Sequence, residues 1–284
     1  RFIDAGYKKT KPLIEINGLP MALQSVKGLP DPAAINFVLR SDMGGVNTVI
    51  QAMSENFDDA NFTFLGQLTE GQACSAKMGV EDLAENLGNK DLGNCTIAAC
   101  DAFVIYQANL FQEMLADDSV DIIVWGAVGH ANAIRRPNMY GWIDVNNKSD
   151  IVSVSVKAAL KNPSKDPIIL GIFTFKKREY FTRTVDSLIA RNCRINGEFY
   201  LDSAIEDAIK IGLRCKVFLV DHYISWGTPE ELKTFEYWQG CFHNWEAHPY
   251  RVELDKHMLI SEKFDPKMQY KIERPHLPGK LKKV

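Results

Sequence analysis

The sequence predicts an α/β fold: a mixed, mostly parallel sheet with helices on both faces and a small antiparallel insertion. Three observations predict it. Short apolar runs rich in β-branched residues alternate with longer segments whose apolar positions recur every three or four residues. That alternation argues parallel strands joined by helices. After Tyr140 the texture changes, and three strand candidates follow one another closely, as in antiparallel pairing. At 284 residues with 46% hydrophobic residues, the chain is long enough to bury a full core.

In chain order, residues 12–16 read as extended, Asn17-Gly18 as a turn, and residues 21–27 as a helix. Residues 35–39 (INFVL) form a strand, 46–53 a helix and 61–65 a second strand. Residues 71–87 have helical apolar spacing through Ala76, Val80, Leu83 and Leu87. Residues 95–99 form a strand running toward Asp101, and 122–127 another. The antiparallel insertion comprises 141–145, 151–156 and 168–175, with Asn146-Asn147 as a turn. Helices at 180–191 and 202–211 follow, then a strand at 216–220. Pro229 opens a last helix whose first turn carries Glu230 and Glu231, as the helix dipole favours. Residues 1–239 form the main domain, and residues 240–284, with aromatics, histidines and a basic end, an accessory segment packed on it.

A formal net charge of −3 leaves no basic field for nucleic acid or an anionic membrane, so neither is an expected partner. No apolar run approaches the roughly 18 residues that span a bilayer. The cysteines Cys74, Cys95, Cys100, Cys193, Cys215 and Cys241 are scattered without a CxxC pair, which suits reduced thiols and a cytoplasmic protein. His243 and His248 lack a carboxylate arrangement that would suggest a metal centre, and no Ser-His-Asp pattern suggests hydrolysis.

Five stretches carry candidate chemistry. Arg1-Phe2-Ile3-Asp4-Ala5-Gly6-Tyr7 leads to Lys11-Pro12 and to Asn17-Gly18-Leu19-Pro20-Met21. Arg1 offers a planar fork for phosphate oxygens and Lys11 a compact charge. Leu68-Thr69-Glu70-Gly71-Gln72-Ala73 opens a helix, with Thr69 and Gln72 spaced as a capping box. Gly71 and Ala73 suit close approach of a ligand, and Gln67 or Gln72 could hydrogen-bond it. Ala98-Ala99-Cys100-Asp101 ends an apolar strand in a carboxylate, placed at the sheet edge where open α/β sheets bind ligands. Met139-Tyr140-Gly141 begins the insertion, which also carries Lys157 and Gly171. Asn196-Gly197-Glu198-Phe199-Tyr200-Leu201-Asp202 and Trp226-Gly227-Thr228-Pro229-Glu230-Glu231-Leu232 complete the set.

In this order the stretches resemble the sugar-phosphate nucleotidyltransferases, over about residues 1–232, and among them bacterial members of capsule and surface-polysaccharide gene sets. The resemblance implies a Rossmann-like sheet and an enzyme that joins a nucleoside triphosphate to a phosphorylated acceptor, with release of pyrophosphate. Arg1 and Lys11 match the family's phosphate-binding arginine and lysine. The family's glycine loop and first strand would precede Arg1, and such residues are expected in the natural protein. Gln67, Thr69, Gly71, Gln72 and Ala73 match its nucleobase-binding segment.

Asp101 matches the aspartate that holds Mg²⁺, the implied cofactor. Ser225 stands where many members have a second metal aspartate; Asp221 is the nearest substitute, with Glu198 and Asp202 as others. Tyr140, Gly141, Lys157, Gly171, Glu198 and Asp202 fall on the acceptor side. Val156 replaces a glutamate that contacts glucose-like acceptors, which keeps heptose phosphates and non-sugar phosphates such as phosphocholine open. The nucleobase and a homo-oligomeric state are open too. A glycosyltransferase is the weaker alternative, because Cys100-Asp101-Ala102 lacks a D-x-D pair. A nucleotide-binding protein without catalysis is the other, since Ser225 removes a ligand.

Overall fold

The structure is a computed structural model that describes residues 1–90 and 93–243, the side chains of 242 and 243 excepted. The accessory segment therefore lies outside the described residues beyond His243.

The chain opens with a 3-10 turn at Lys11–Leu13 and the short strands β1 (Glu15–Ile16) and β2 (Leu19–Pro20), paired around Asn17-Gly18. Both turn residues have positive φ (51° and 76°), as a tight two-residue hairpin demands. Helix α1 (Met21–Val26) follows, then β3 (Ile35–Arg40), α2 (Val46–Ser54), β4 (Ala60–Leu65) and α3 (Gln72–Asn86). Strands β5 (Cys95–Ala98) and β6 (Ala102–Ile105), helix α4 (Ala108–Ala116), strand β7 (Ile122–Ala127) and helix α5 (Ala131–Arg135) come next. The insertion supplies β8 (Gly141–Val145), β9 (Ile151–Val156) and β10 (Ile168–Phe175). The order closes with α6 (Arg178–Ala190), α7 (Leu201–Lys210), β11 (Cys215–Leu219), β12 (His222–Ser225) and α8 (Pro229–His243). Helix α8 runs across the expected boundary at 239/240.

The main sheet is mixed, in the order β11-β7-β10-β8-β9. β11 is parallel to β7, and β10 is antiparallel to β7, β8 and β5. β3 and β4 form a separate parallel pair, β6 and β12 an antiparallel one. The strands of the insertion, β8, β9 and β10, are part of this main sheet. All but one residue of β10 is buried, so the strand needs cover on both faces and takes a central place.

Successive residues of β7 feed two cores: Ile122 and Val124 face one, Ile123 and Trp125 the other. The first core is closed by α6 (Phe181, Val185, Leu188) and α7 (Leu201, Ala204, Ile205), the second by Phe111 of α4 and Ala133 of α5. Helices therefore cover both faces, as the alternating pattern implies. Among the described residues, no helix is long and apolar enough to cross a membrane.

One irregularity decides where a ligand can enter. β10 pairs β7 along one edge, while its other edge is shared end to end by β8, at Ile168, and β5, at Ile172–Phe175. Between them Gly171 adopts φ +70° and the register with β7 shifts, so β10 bulges. The C-terminal end of β5 and the start of β8 thus face each other across Leu170-Gly171, and a cleft opens between them.

Candidate active site

The cleft has a volume of about 280 Å³. Of the residues singled out in the sequence, Arg1, Lys11, Gln72, Asp101, Tyr140, Gly141, Lys157, Gly171 and Asp202 line it. One wall is built around Asp101, in the bend between β5 and β6. The Asp101 carbonyl accepts from the Trp226 backbone at 2.8 Å, tying that bend to the end of β12. Pro12 closes the 3-10 turn that presents Lys11, whose Nζ donates to the Asp101 carboxylate and to the Gly227 carbonyl (3.5 Å). Gly227 leaves space at its Cα: a Cβ there would lie 3.3 Å from Asp101 Oδ2, 3.4 Å from Glu231 Oε2 and 3.5 Å from Ser225 Oγ.

The opposite wall comes from the insertion and α7. Tyr140 leads into β8, which Gly141 begins, and Lys157 follows β9 with φ +61°. Lys157 is fixed by its own backbone N–H donating to the Tyr140 carbonyl (3.0 Å) and by Nζ donating to the Met139 carbonyl (2.7 Å). Its ammonium also lies 5.8 Å from the centre of the Tyr200 ring. The Asp202 carboxylate, in the first turn of α7, fills the volume a Gly141 side chain would need. Burial pushes its pKa up to about 6, against the pull of Lys157. Lys11 and Asp101 thus face Lys157 and Asp202 across one opening.

Several expected residues stand elsewhere. Gly71, at φ +133°, is approached by the Phe199 backbone: a Cβ on it would meet Phe199 N at 2.5 Å and O at 2.6 Å. Ala73 donates its backbone N–H to the Phe199 carbonyl at 3.0 Å. The small residues here admit a neighbouring chain segment, and neither lines the cleft. The capping box is not formed, because α3 starts at Gln72; the Thr69 hydroxyl instead lies 3.0 Å from the Gly71 carbonyl and 2.6 Å from Ser75 Oγ. Gln67 is exposed in the preceding loop, and Glu198 is exposed in the turn closed by Ile195. Asp221 lies between β11 and β12, with its backbone N–H on the Ile105 carbonyl and its carboxylate accepting from Gln107 at 3.4 Å. It does not line the cleft.

Among the other lining residues, Tyr223 lies outside every stretch singled out in the sequence, while Thr228 and Glu231 stand in the last stretch without an assigned role. Tyr223 belongs to β12, a four-residue strand without a clear alternating pattern. Glu231 was legible only as a first-turn acid. Its spacing from Thr228, threonine then glutamate three residues on, is the capping-box signal that could have marked it.

No model of a known protein family matches the chain, and no curated protein matches it in sequence. Solved structures share its fold. The nucleoside-diphosphate-sugar pyrophosphorylase from Vibrio cholerae RC9 is similar at a TM-score of 0.66 and 19% identity, over 83% of this chain and 94% of that one. The inositol-1-phosphate CTP transferase from T. maritima is similar at 0.58 and 13% identity, over 80% and 84% of the two chains. A CMP:2-keto-3-deoxy-manno-octonic acid synthetase complexed with CTP is similar at 0.54 and 16% identity, over 83% and 95%. At these identities the likeness is one of fold.

Proposed function

We propose that this chain is a nucleotidyltransferase that joins a nucleoside monophosphate unit to a phosphorylated acceptor, a sugar 1-phosphate first among the candidates, and releases pyrophosphate. The observation that carries this reading is the pairing of Lys11 and Asp101 on one wall with Lys157 and Asp202 on the other. Two anions need two cationic seats, and one cleft offers both. The names of the similar structures, a diphosphate-sugar pyrophosphorylase and two enzymes of cytidine nucleotides, support the same reaction class.

In the reaction, a phosphate oxygen of the acceptor attacks the α-phosphorus of the triphosphate, and the bond to the pyrophosphate oxygen breaks. The acceptor phosphate is already ionised at neutral pH, so the cleft needs no general base. Lys157, held at both its backbone and its ammonium, orients the acceptor phosphate, while Lys11 and Arg1 meet charge on the departing pyrophosphate. Asp101, a hard oxygen donor on the cleft wall, is the residue that would hold Mg²⁺. When bound there, Mg²⁺ would supply charge neutralisation on the phosphate oxygens. The proposal extends to a cytoplasmic enzyme of surface-polysaccharide precursor synthesis, on the strength of the sequence motifs.

The test is pyrophosphate release, with each common triphosphate crossed against a panel of sugar 1-phosphates and phosphocholine in the presence and absence of Mg²⁺. Release with one triphosphate and one acceptor is expected. A triphosphate that raises the melting temperature without release from any pair would favour a binding protein, and no effect of any nucleotide would end the reading.

A further inference from the structure

Glu231 does more than begin a helix. Its Oε2 accepts from the Thr228 backbone N–H (3.0 Å) and hydroxyl (3.1 Å), and the Glu231 N–H returns a bond to the Thr228 hydroxyl (3.3 Å). That is a reciprocal cap on α8. The other oxygen, Oε1, faces away from the cap and accepts from the Tyr140 hydroxyl (2.9 Å) and the Asn132 amide (2.8 Å). Asn132 also donates to the Tyr140 oxygen at 3.0 Å, which closes a triangle. One carboxylate therefore accepts four hydrogen bonds from three elements: the start of α8, helix α5 and the segment leading into β8. Helix capping uses only half of them.

The triangle sits where the two walls of the cleft meet. On the Thr228 side the chain continues through Gly227, whose carbonyl accepts from Lys11 and whose Cα borders Asp101. On the Tyr140 side the backbone carbonyls of Met139 and Tyr140 hold Lys157. We infer that Glu231, acting through Tyr140 and Asn132, is a positioning residue that locks the Lys157 wall to the Lys11–Asp101 wall and so sets the attack distance between the two substrates. The kinetic consequence of this lock rests on the proposed reaction. A carboxylate suits the task because it can accept from donors at both ends. A glutamine there would turn its NH₂ toward one donor pair and break one half of the lock.

The decisive pair of variants is Glu231→Gln and Tyr140→Phe. Tyr140→Phe removes two sides of the triangle, the bonds to Glu231 and from Asn132, and leaves the helix cap intact. Both variants should raise the acceptor KM by about 10-fold or more while the triphosphate KM stays within about 2-fold. The double variant should lose little beyond the worse single one, because both remove the same link. If Glu231 only caps α8, Tyr140→Phe will leave the acceptor KM unchanged and Glu231→Gln will lower the melting temperature and weaken both substrates alike. Either result overturns the inference. A wild-type protein that releases no pyrophosphate refutes the reaction instead. The lock is then judged by the melting-temperature rise that glucose 1-phosphate and CTP give separately. Loss of the first with retention of the second in both variants sustains it; equal responses, or no response in the wild type, overturn it.

Discussion

The two walls of the cleft handle a carboxylate in opposite ways. Asp101 stands in a bend between two strands, partly exposed and held by the Lys11 ammonium, while Asp202 stands in the first turn of α7 without an ion pair among the described residues. The first has its counter-charge built in; the second is left to desolvation, which raises its pKa to about 6. In the proposed reaction, a carboxylate paired from the outset suits the wall assigned to the highly charged triphosphate and a cation. In the same proposed reaction, a buried carboxylate suits a wall where Lys157 takes the acceptor phosphate and Asp202 accepts from the hydroxyls beside it.

The sharpest break of this comparison is Asp101→Asn. Turnover should fall by about 100-fold or more with the fold intact, because transition-state charge loses its main carboxylate organiser. Mg²⁺-dependent activity kept near the wild-type level would remove Asp101 from the metal assignment. Next in size is Lys157→Ala, expected to raise the acceptor KM by about 10-fold with little change for the triphosphate. Equal loss for both substrates would merge the two walls into one binding unit.

Outside the chemistry, Gly71→Ala should destabilise by about 1–3 kcal/mol, through the positive φ and the Phe199 backbone against the new methyl. Thermal unfolding checks this; an unchanged melting temperature would mean that the two segments separate at no cost.

The smallest effect concerns Asp202. Its folded pKa lies above the ordinary carboxylate value, so its contribution to stability is fully present below about pH 4 and is lost as pH rises through 6. Asp202→Asn should therefore be more stable than the wild type above pH 6, by a few degrees, with the two melting curves converging near pH 4. A constant difference across that range would show that Asp202 does not titrate as its surroundings dictate.

Much of the architecture was legible. Strand run 122–127 is apolar throughout and 168–175 is so but for Thr174, and helices 180–191 and 202–211 have a clear apolar stripe, so local pattern sufficed. β6, β12, α4 and α5 were not anticipated. The two strands are four residues each and exist because they pair with one another across more than a hundred positions; α5 is only five residues long. Asp101, Lys11 and Lys157, singled out as charged groups at fixed places in an ordered string of motifs, all line the cleft. Gly71 and Ala73 were placed against the ligand instead, since smallness announces close approach but not what approaches.

By itself, then, the sequence determined the alternation of strands and helices, the two-faced core and most of the charged residues of the cleft, all of which follow from periodicity and residue chemistry along the chain. Tertiary structure alone decided that β5 and β8 share one edge of β10, that the Phe199 backbone lies on Gly71, that Asp221 is outside the cleft lining, and that Glu231 binds Tyr140. Each of these depends on which distant segments meet, and backbone hydrogen bonds and packing volume settle that only when the whole chain is folded.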